Sequence, residues 1–384
     1  MMDHTPAGVT LVAAIFWGSA FLLGYGAVGY PLLMYALGRL RGRHHARHDI
    51  LPTVSLLVPA HNEAQMINAK IRNCLQLDYP KERLEILVAS DGSTDSTALH
   101  IRDAAATGQI RGTIFPKRRG KASVLNDLVR MASGELLVFT DATTLLEPRS
   151  LRALVSNFAD ARVGCVSGIY RVIPASGDSQ GGLESVYWRY ETFVRLAEAR
   201  LGTMLGGHGA YYAIRRELFQ PLDPHVINDD FVIPLKVLLK GFDAIYEPSA
   251  IAAEAAGEMA GFTRRIRIMV GNYQALLLLL RREGWLRRPQ VVFQMLSHKG
   301  FRVLMPLLMI SLYASAALLA EPAYRLAFVA QTAFFFAGAL GVSPRLRVLG
   351  RMVVAAPYYV CMVNFAALVA LYRMAAHRGA VEWN

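Results

Sequence analysis

Several acidic side chains in this sequence stand where apolar runs stop. Asp91 follows "LEILVAS", Asp141 follows "GELLVFT", and Glu63 lies in "HNE" just after "TVSLLVPA". A carboxylate at such a boundary can accept hydrogen bonds from a ligand or offer hard oxygen to a cation. Further on, Asp229 and Asp230 are adjacent. Two neighbouring carboxylates, one of them buried, raise one pKa toward working pH, as a general base requires. The same pair precedes "FVIPLKVLLK" and suits a helix start, with Asn228, Asp229 and Asp230 at the positive dipole end. Both readings hold together if Asp229 caps and Asp230 works. Lys121 opens a helical pattern behind Gly120, where an ammonium and backbone N–H groups can meet phosphate. A solvated helix lysine is the plainer reading of that residue.

The elements that must position these groups alternate. "TVSLLVPA" reads as a buried strand and "NEAQMINAKIRNCLQL" as a helix, with Asn62 as its N-cap. "LEILVAS" is a second strand, "DGSTDSTALHIRDAAA" a turn and helix, and "RGTIFP" a third strand. "GKASVLNDLVRMAS" is a helix and "GELLVFT" a fourth strand. This alternation predicts a parallel sheet with helices on its faces, and such sheets bind ligands at the carboxyl ends of their strands. Glu63, Asp91 and Asp141 fall at three of those ends.

Composition places this α/β domain beside a membrane. The 384 residues are 54% hydrophobic, with a net charge of +12 from 41 Lys+Arg against 29 Asp+Glu. A mean hydropathy of +0.30 is too high for an ordinary soluble enzyme. The arginine clusters sit beside apolar runs, which favours basic loops facing anionic lipid over nucleic-acid binding. Cys74, Cys165 and Cys361 are far apart and form no zinc or disulfide pattern. Residues 9–40 are long enough to span and are followed by Arg39, Arg41, Arg43 and Arg47, which places the N-terminus outside. Further spans are predicted over 303–320, 324–342 and 352–372, with Arg345, Arg347 and Arg351 on the cytoplasmic side. Phe262, Ile266, Met269, Tyr273, Leu276 and Leu280 form one helical stripe, with Arg264, Arg267 and Arg281 largely off it. That is an interfacial amphipathic pattern; a core helix is the alternative. The expected organisation is a transmembrane helix and basic flank (1–48), a cytoplasmic domain (49–260), interfacial helices (261–301) and about three transmembrane helices (302–384).

Six segments in order resemble family 2 glycosyltransferases: "VPAHNEA" (58–64), "SDGSTD" (90–95), "GKASVLN" (120–126), "TDATT" (140–144), "GGHGAYYAIRRELF" (206–219) and "INDDFVIPLKVLLKGFDAIYEPSA" (227–250). The likeness is to the membrane-integrated branch that includes cellulose, chitin and hyaluronan synthases. The resemblance implies a Rossmann-like GT-A fold and inverting transfer from a nucleotide sugar. It implies Asp91 on the uracil of a UDP-sugar, Glu63 on the base and ribose, and Lys121 and Arg267 on the diphosphate. Asp230 would be the general base beside Asp229, and Gly207, His208 and Gly209 would receive the acceptor.

Asp141 stands at the family's D-x-D site for Mg²⁺ or Mn²⁺, but Thr143 occupies the second acidic position. A neutral hydroxyl implies a weakly held ion. The processive synthases carry a Q/R-x-x-R-W motif, whereas "RRIRI" keeps Arg264 and Arg267 and has Ile268 in place of Trp. The leading expectation is a multi-pass inner-membrane hexosyltransferase-type enzyme that extends an extracellular or capsular polysaccharide, with dimerisation or an export partner completing a channel. The alternatives are single-sugar transfer to a membrane lipid (polyprenyl phosphate, glycerolipid or ceramide-like) and a non-catalytic nucleotide-binding subunit.

Overall fold

The computed structural model describes residues 6–173, 179–207, 209–255, 262–281 and 288–376. The chain opens with a long helix in three parts: α1 (Pro6–Gly24), a π-helical turn (Tyr25–Gly29) and α2 (Tyr30–Arg41). The α/β domain then runs β1 (Val54–Ala60), α3 (Ile67–Leu75), β2 (Leu84–Asp91), α4 (Thr97–Ala106), β3 (Arg111–Phe115), α5 (Lys121–Met131), β4 (Leu136–Thr140) and β5 (Leu145–Leu146). It continues through α6 (Ser150–Val155), β6 (Val163–Ile173), α7 (Ser179–Ala199), β7 (Tyr211–Arg215), α8 (Asp229–Leu239) and β8 (Asp243–Ala255). The remaining helices are α9 (Phe262–Arg281), α10 (Pro289–Gln294), a second π-helical turn (Met295–Gly300), α11 (Phe301–Leu318), α12 (Pro322–Leu340) and α13 (Pro344–Ala375).

The strands form one eight-stranded sheet in the order β3-β2-β1-β4-β7-β6-β8-β5. Its first four strands are parallel, as the strand–helix alternation predicts. β1, β2 and β4 are largely apolar and buried, with Leu56, Leu57, Leu137 and Val138 fully buried. The other half departs from the all-parallel expectation. β7 runs antiparallel to β4 and to β6, so the sheet is mixed. β7, "YYAIR", is buried over its first four residues and lies between β4 and β6.

Asn62 does not cap a helix. It adopts φ +54°, a region that Asn tolerates better than most residues, and its Oδ1 accepts a hydrogen bond from Thr94 N at 2.8 Å. Its side chain therefore ties the loop after β1 to the loop after β2, and α3 starts only at Ile67.

Among the described residues, four helical stretches are long and apolar enough to cross a membrane: Gly8–Arg41, Pro289–Leu318, Pro322–Leu340 and Met352–Ala375. α9 packs on the last of these. Ile266, Met269, Val270 and Tyr273 bury against Ala366, Ala367 and Ala370 of α13. Tyr273 Oη donates to the Ala367 carbonyl at 3.2 Å. Most of the stripe predicted to lie on lipid is thus covered by protein, because a run of alanines lets α13 approach closely. Part of the basic flank is likewise used within the fold: Arg43 and His45 pair with Asp243, and Arg47 with Glu247.

Candidate active site

A cavity of about 910 Å³ starts at the carboxyl ends of β1, β2 and β4 and ends between the apolar helices. In its strand-end half, Asp91 is 5% exposed. Its two carboxylate oxygens accept from the backbone N–H groups of Arg119 (2.9 Å) and Gly120 (2.8 Å). Asp91 therefore shapes the turn that delivers Lys121, besides lining the cavity. Gly92 (φ +59°) makes this possible, since a Cβ there would come within 2.3 Å of Arg118 N. His61 Nδ1 lies 2.7 Å from the Asp91 carbonyl and joins the first loop to the second.

Glu63 lines the same space. Burial, then the charges of Asp141, Glu254 and Asp95, push its carboxyl up to about 7. Glu254 was not singled out from the sequence, where it sits in the small-residue run "AIAAEAAGE". It is held by Tyr170 Oη at 2.9 Å and adds a further carboxylate to the cavity wall.

The centre is a buried lysine between two carboxylates. Lys121 Nζ lies 2.8 Å from Asp141 Oδ1 and 3.1 Å from Asp229 Oδ1. It is not the solvated lysine of the plainer reading. Burial works against its charge, but the two aspartates outweigh that and raise its pKa. Asp229 is the first residue of α8, after Asn228 at the N-cap, whose side chain makes no capping bond. Asp229 is 3% exposed, accepts from Tyr212 Oη at 3.3 Å, and is pushed up to about 6 by burial and by Asp230, against the pull of Lys121. The expectation that Asp229 caps the helix is therefore corrected: it turns inward to the lysine.

Asp230 faces the cavity. Its carbonyl accepts from Gly207 N at 2.7 Å, which locks the "GGHGA" loop onto α8. Gly209 leaves the carboxylate room, since a Cβ there would stand 3.1 Å from Oδ2. His208 lies outside the described residues. Lys70 supports the Asp141 loop from below. It is fully buried and donates to Thr140 Oγ1 (2.7 Å) and the Thr144 carbonyl (2.5 Å). Burial lowers its pKa. No sequence pattern marks it, because it reads as one more polar face of α3.

α9 brings Arg264, Arg267 and Ile268 to the cavity. It is clamped to the segment preceding the acidic pair: Asn228 Nδ2 donates to the Ile268 carbonyl at 3.2 Å, and Gln274 Oε1 accepts from Ile227 N at 3.2 Å. Gly271 permits the approach, since a Cβ would come within 2.4 Å of the Asn228 side chain. Burial, then Arg264, lowers the pKa of Arg267, yet a guanidinium keeps its proton under such conditions. It remains a cation beside the carboxylates.

The membrane-side half is a charge network. Glu191 on α7 pairs with Arg195 (3.1 Å) and with Arg302 of α11. These cations and His298 hold its pKa well below the usual carboxylate range despite burial. Glu198 accepts from Tyr30 Oη (2.6 Å) and from Leu205 N (3.2 Å), and its Oε1 lies 2.9 Å from His298 Nδ1. Tyr25 Oη donates to Ser297 Oγ at 2.8 Å, joining the two π-helical turns.

The sequence-predicted residues Glu63, Asp91, Lys121, Asp141, Thr143, Gly207, Gly209, Asp229, Asp230 and Arg267 all border this one cavity. Among the described residues, no three His, Cys, Asp or Glu side chains converge as a metal cage. One carboxylate, Asp141, with the Thr143 hydroxyl fits an ion that keeps waters and takes its other ligands from a diphosphate, as Mg²⁺ does.

The mixed sheet, with acidic groups at its strand ends, is that of a GT-A glycosyltransferase fold. The same fold is seen in the mannosyltransferase PcManGT of Pyrobaculum calidifontis, solved in complex with GDP-Man and Mn²⁺: TM-score 0.71, 24% identity, covering 93% of this chain and 99% of that one. Residues 55–222 match the family described as glycosyl transferase family 2. Among curated relatives, a probable glycosyltransferase of Bacillus subtilis, YdaM, is 28% identical over 64% of this chain and 61% of its own length. The poly-beta-1,6-N-acetyl-D-glucosamine synthase of Staphylococcus epidermidis is 24% identical over 60% of this chain and 57% of its own length. The chain thus matches about three fifths of these two relatives.

Proposed function

We propose that this membrane protein transfers one sugar from a nucleotide sugar, UDP-linked by resemblance, to a hydroxyl group of a membrane lipid. One observation carries this reading: the cavity runs without a break from the strand-end carboxylates, past Asp230, to a space walled by Gly26, Phe301 and Val363 of the apolar helices. A lipid head group can enter from that side. The absence of an aromatic platform at Ile268 fits a short acceptor better than a growing chain.

In this reading Glu63 and Asp91 border the nucleotide, while Lys121 and Arg267 meet the diphosphate. Asp230 takes the proton of the acceptor hydroxyl as its oxygen attacks C1 of the sugar. The C1–oxygen bond to the diphosphate breaks, the anomeric centre inverts, and the leaving charge passes to the cations. Asp141 and Thr143 would hold Mg²⁺ or Mn²⁺, which would supply further positive charge at the diphosphate. The α/β domain is cytoplasmic, and the four apolar helices sit in the inner (plasma) membrane.

The names of the staphylococcal relatives favour a second reading, extension of an extracellular polysaccharide. It needs a homo-oligomer or an export partner to complete a path. Purified protein in lipid vesicles with UDP- and GDP-sugars and Mn²⁺ tests both. Nucleoside diphosphate release with a singly glycosylated lipid by mass spectrometry supports the first reading. Polymer of many sugars supports the second, and no release with any donor overturns both.

A further inference from the structure

The membrane-side half of the cavity holds a cation that the transfer step does not use. Lys299 lies in the π-helical turn Met295–Gly300, is 7% exposed and lines the cavity. Its ammonium sits 5.0 Å from the ring centroid of Phe231, the residue after Asp230. Among the described residues it donates no hydrogen bond. Its neighbours are engaged: Arg195 and Arg302 bind Glu191, and His298 lies against Glu198.

A buried ammonium without hydrogen-bond acceptors is costly, and a cation set among membrane helices marks a ligand or ion site by default. The wall on this side comes from membrane-length helices, through Ala27, Phe301, Met305 and Val360. A ligand arriving here comes from the bilayer, and the anion that bilayer lipids carry is phosphate. Asp230 narrows the class further. An ionised phosphate oxygen attacks without losing a proton, so a base beside the acceptor implies a hydroxyl nucleophile.

We propose that Lys299 binds the phosphate of an anionic phospholipid whose head group also bears the hydroxyl that receives the sugar. This rests on the glycosyl-transfer reading and names its acceptor class. The phosphodiester seats on the free hydrogen-bonding capacity of Lys299, the acyl chains lie along α11 and α13, and the head-group hydroxyl reaches Asp230.

The test uses the full chain in nanodiscs and has a binding arm and a turnover arm. Native mass spectrometry compares retention of phosphatidylglycerol (phosphate and hydroxyl), phosphatidylcholine (no net charge, no hydroxyl) and diacylglycerol (hydroxyl, no phosphate). Preferential retention of phosphatidylglycerol is expected, and inorganic phosphate should displace it only weakly. Equal retention of the three overturns the proposal, as does inorganic phosphate competing on equal terms. In the turnover arm, Lys299→Gln should raise the KM for lipid at least about tenfold, the loss of one charge-assisted hydrogen bond, and Lys299→Arg should recover most of it. An unchanged lipid KM with a shifted pH profile would show that Lys299 only tunes Asp230, and the proposal would fail. Lipid retention without nucleotide release from any donor would sink the glycosyl-transfer reading and the acceptor role while leaving a phospholipid site, so the two failures are told apart.

Discussion

The two halves of the cavity are built by opposite strategies. At the strand ends Glu63, Asp91 and Asp141 end or follow their own strands within three residues. Asp91 is held there by the backbone groups Arg119 N and Gly120 N. On the membrane side, Tyr30, Glu191, Glu198, His298 and Arg302 come from three helices far apart in sequence and meet only through side chains. The first half is local and tolerant of change elsewhere. The second is a buried ionic network in which each member depends on the others.

That contrast predicts different failures. Glu191→Ala leaves Arg195 and Arg302 without their shared carboxylate and should cost about 3–5 kcal/mol of stability, read as a large fall in thermal unfolding temperature in detergent. A loss under about 1 kcal/mol would mean the network behaves like surface charge. Asp91→Ala, in the local half, should cost less, about 1–3 kcal/mol, for the backbone N–H groups left without their acceptor. It should weaken nucleotide-sugar affinity by roughly ten- to a hundred-fold, through loss of two charge-assisted hydrogen bonds that shape the Lys121 turn. Isothermal titration decides this, and a collapse in stability with unchanged affinity would reverse the assignment of the two halves.

Proton linkage separates them as well. Glu63 prefers its neutral form in the folded protein, so its contribution to stability is complete below about pH 4.5 and is lost as pH rises through about 7. Glu63→Gln should flatten that slope in the apo-protein. Asp229, pushed up to about 6, must be ionised to hold Lys121, so turnover should fall as pH drops through about 6. A pH–rate profile with no acid limb there would remove this role. The smallest effect is expected at Thr143→Asp, which should tighten Mn²⁺ binding in the presence of nucleoside diphosphate by about tenfold. Equal affinity would mean that position 143 does not face the ion.

The same contrast explains what the sequence could and could not disclose. Buried strands with polar residues at their ends are readable, because period, loop chemistry and function lie within a few residues. Glu63, Asp91 and Asp141 are legible in this way, whereas the roles of Asp229 and Asp230 rest on the family resemblance. Asp229 was misjudged as a cap because its partner, Lys121, is fixed by tertiary structure alone. Lys70 and Glu254 were missed for the same reason: a lysine on an amphipathic helix and a glutamate among alanines acquire meaning only when α3 and β8 are docked. The amphipathic stripe of α9 was legible, but its partner was not, since periodicity does not tell an alanine-lined helix from a lipid surface. His298, Lys299 and Arg302 fall at the boundary between the expected interfacial helices and the next span, and they line the second half of the cavity.

The most direct measurement is single-turnover sugar transfer by Asp230→Asn in vesicles, with nucleotide-sugar affinity measured alongside. A general base at Asp230 predicts a rate lower by about 10²–10⁴-fold with donor affinity nearly unchanged, since the substitution keeps size and removes only the proton acceptor. A rate within a few-fold of wild type, or a loss of donor binding that accounts for the whole effect, would contradict the assignment of Asp230 to the acceptor hydroxyl.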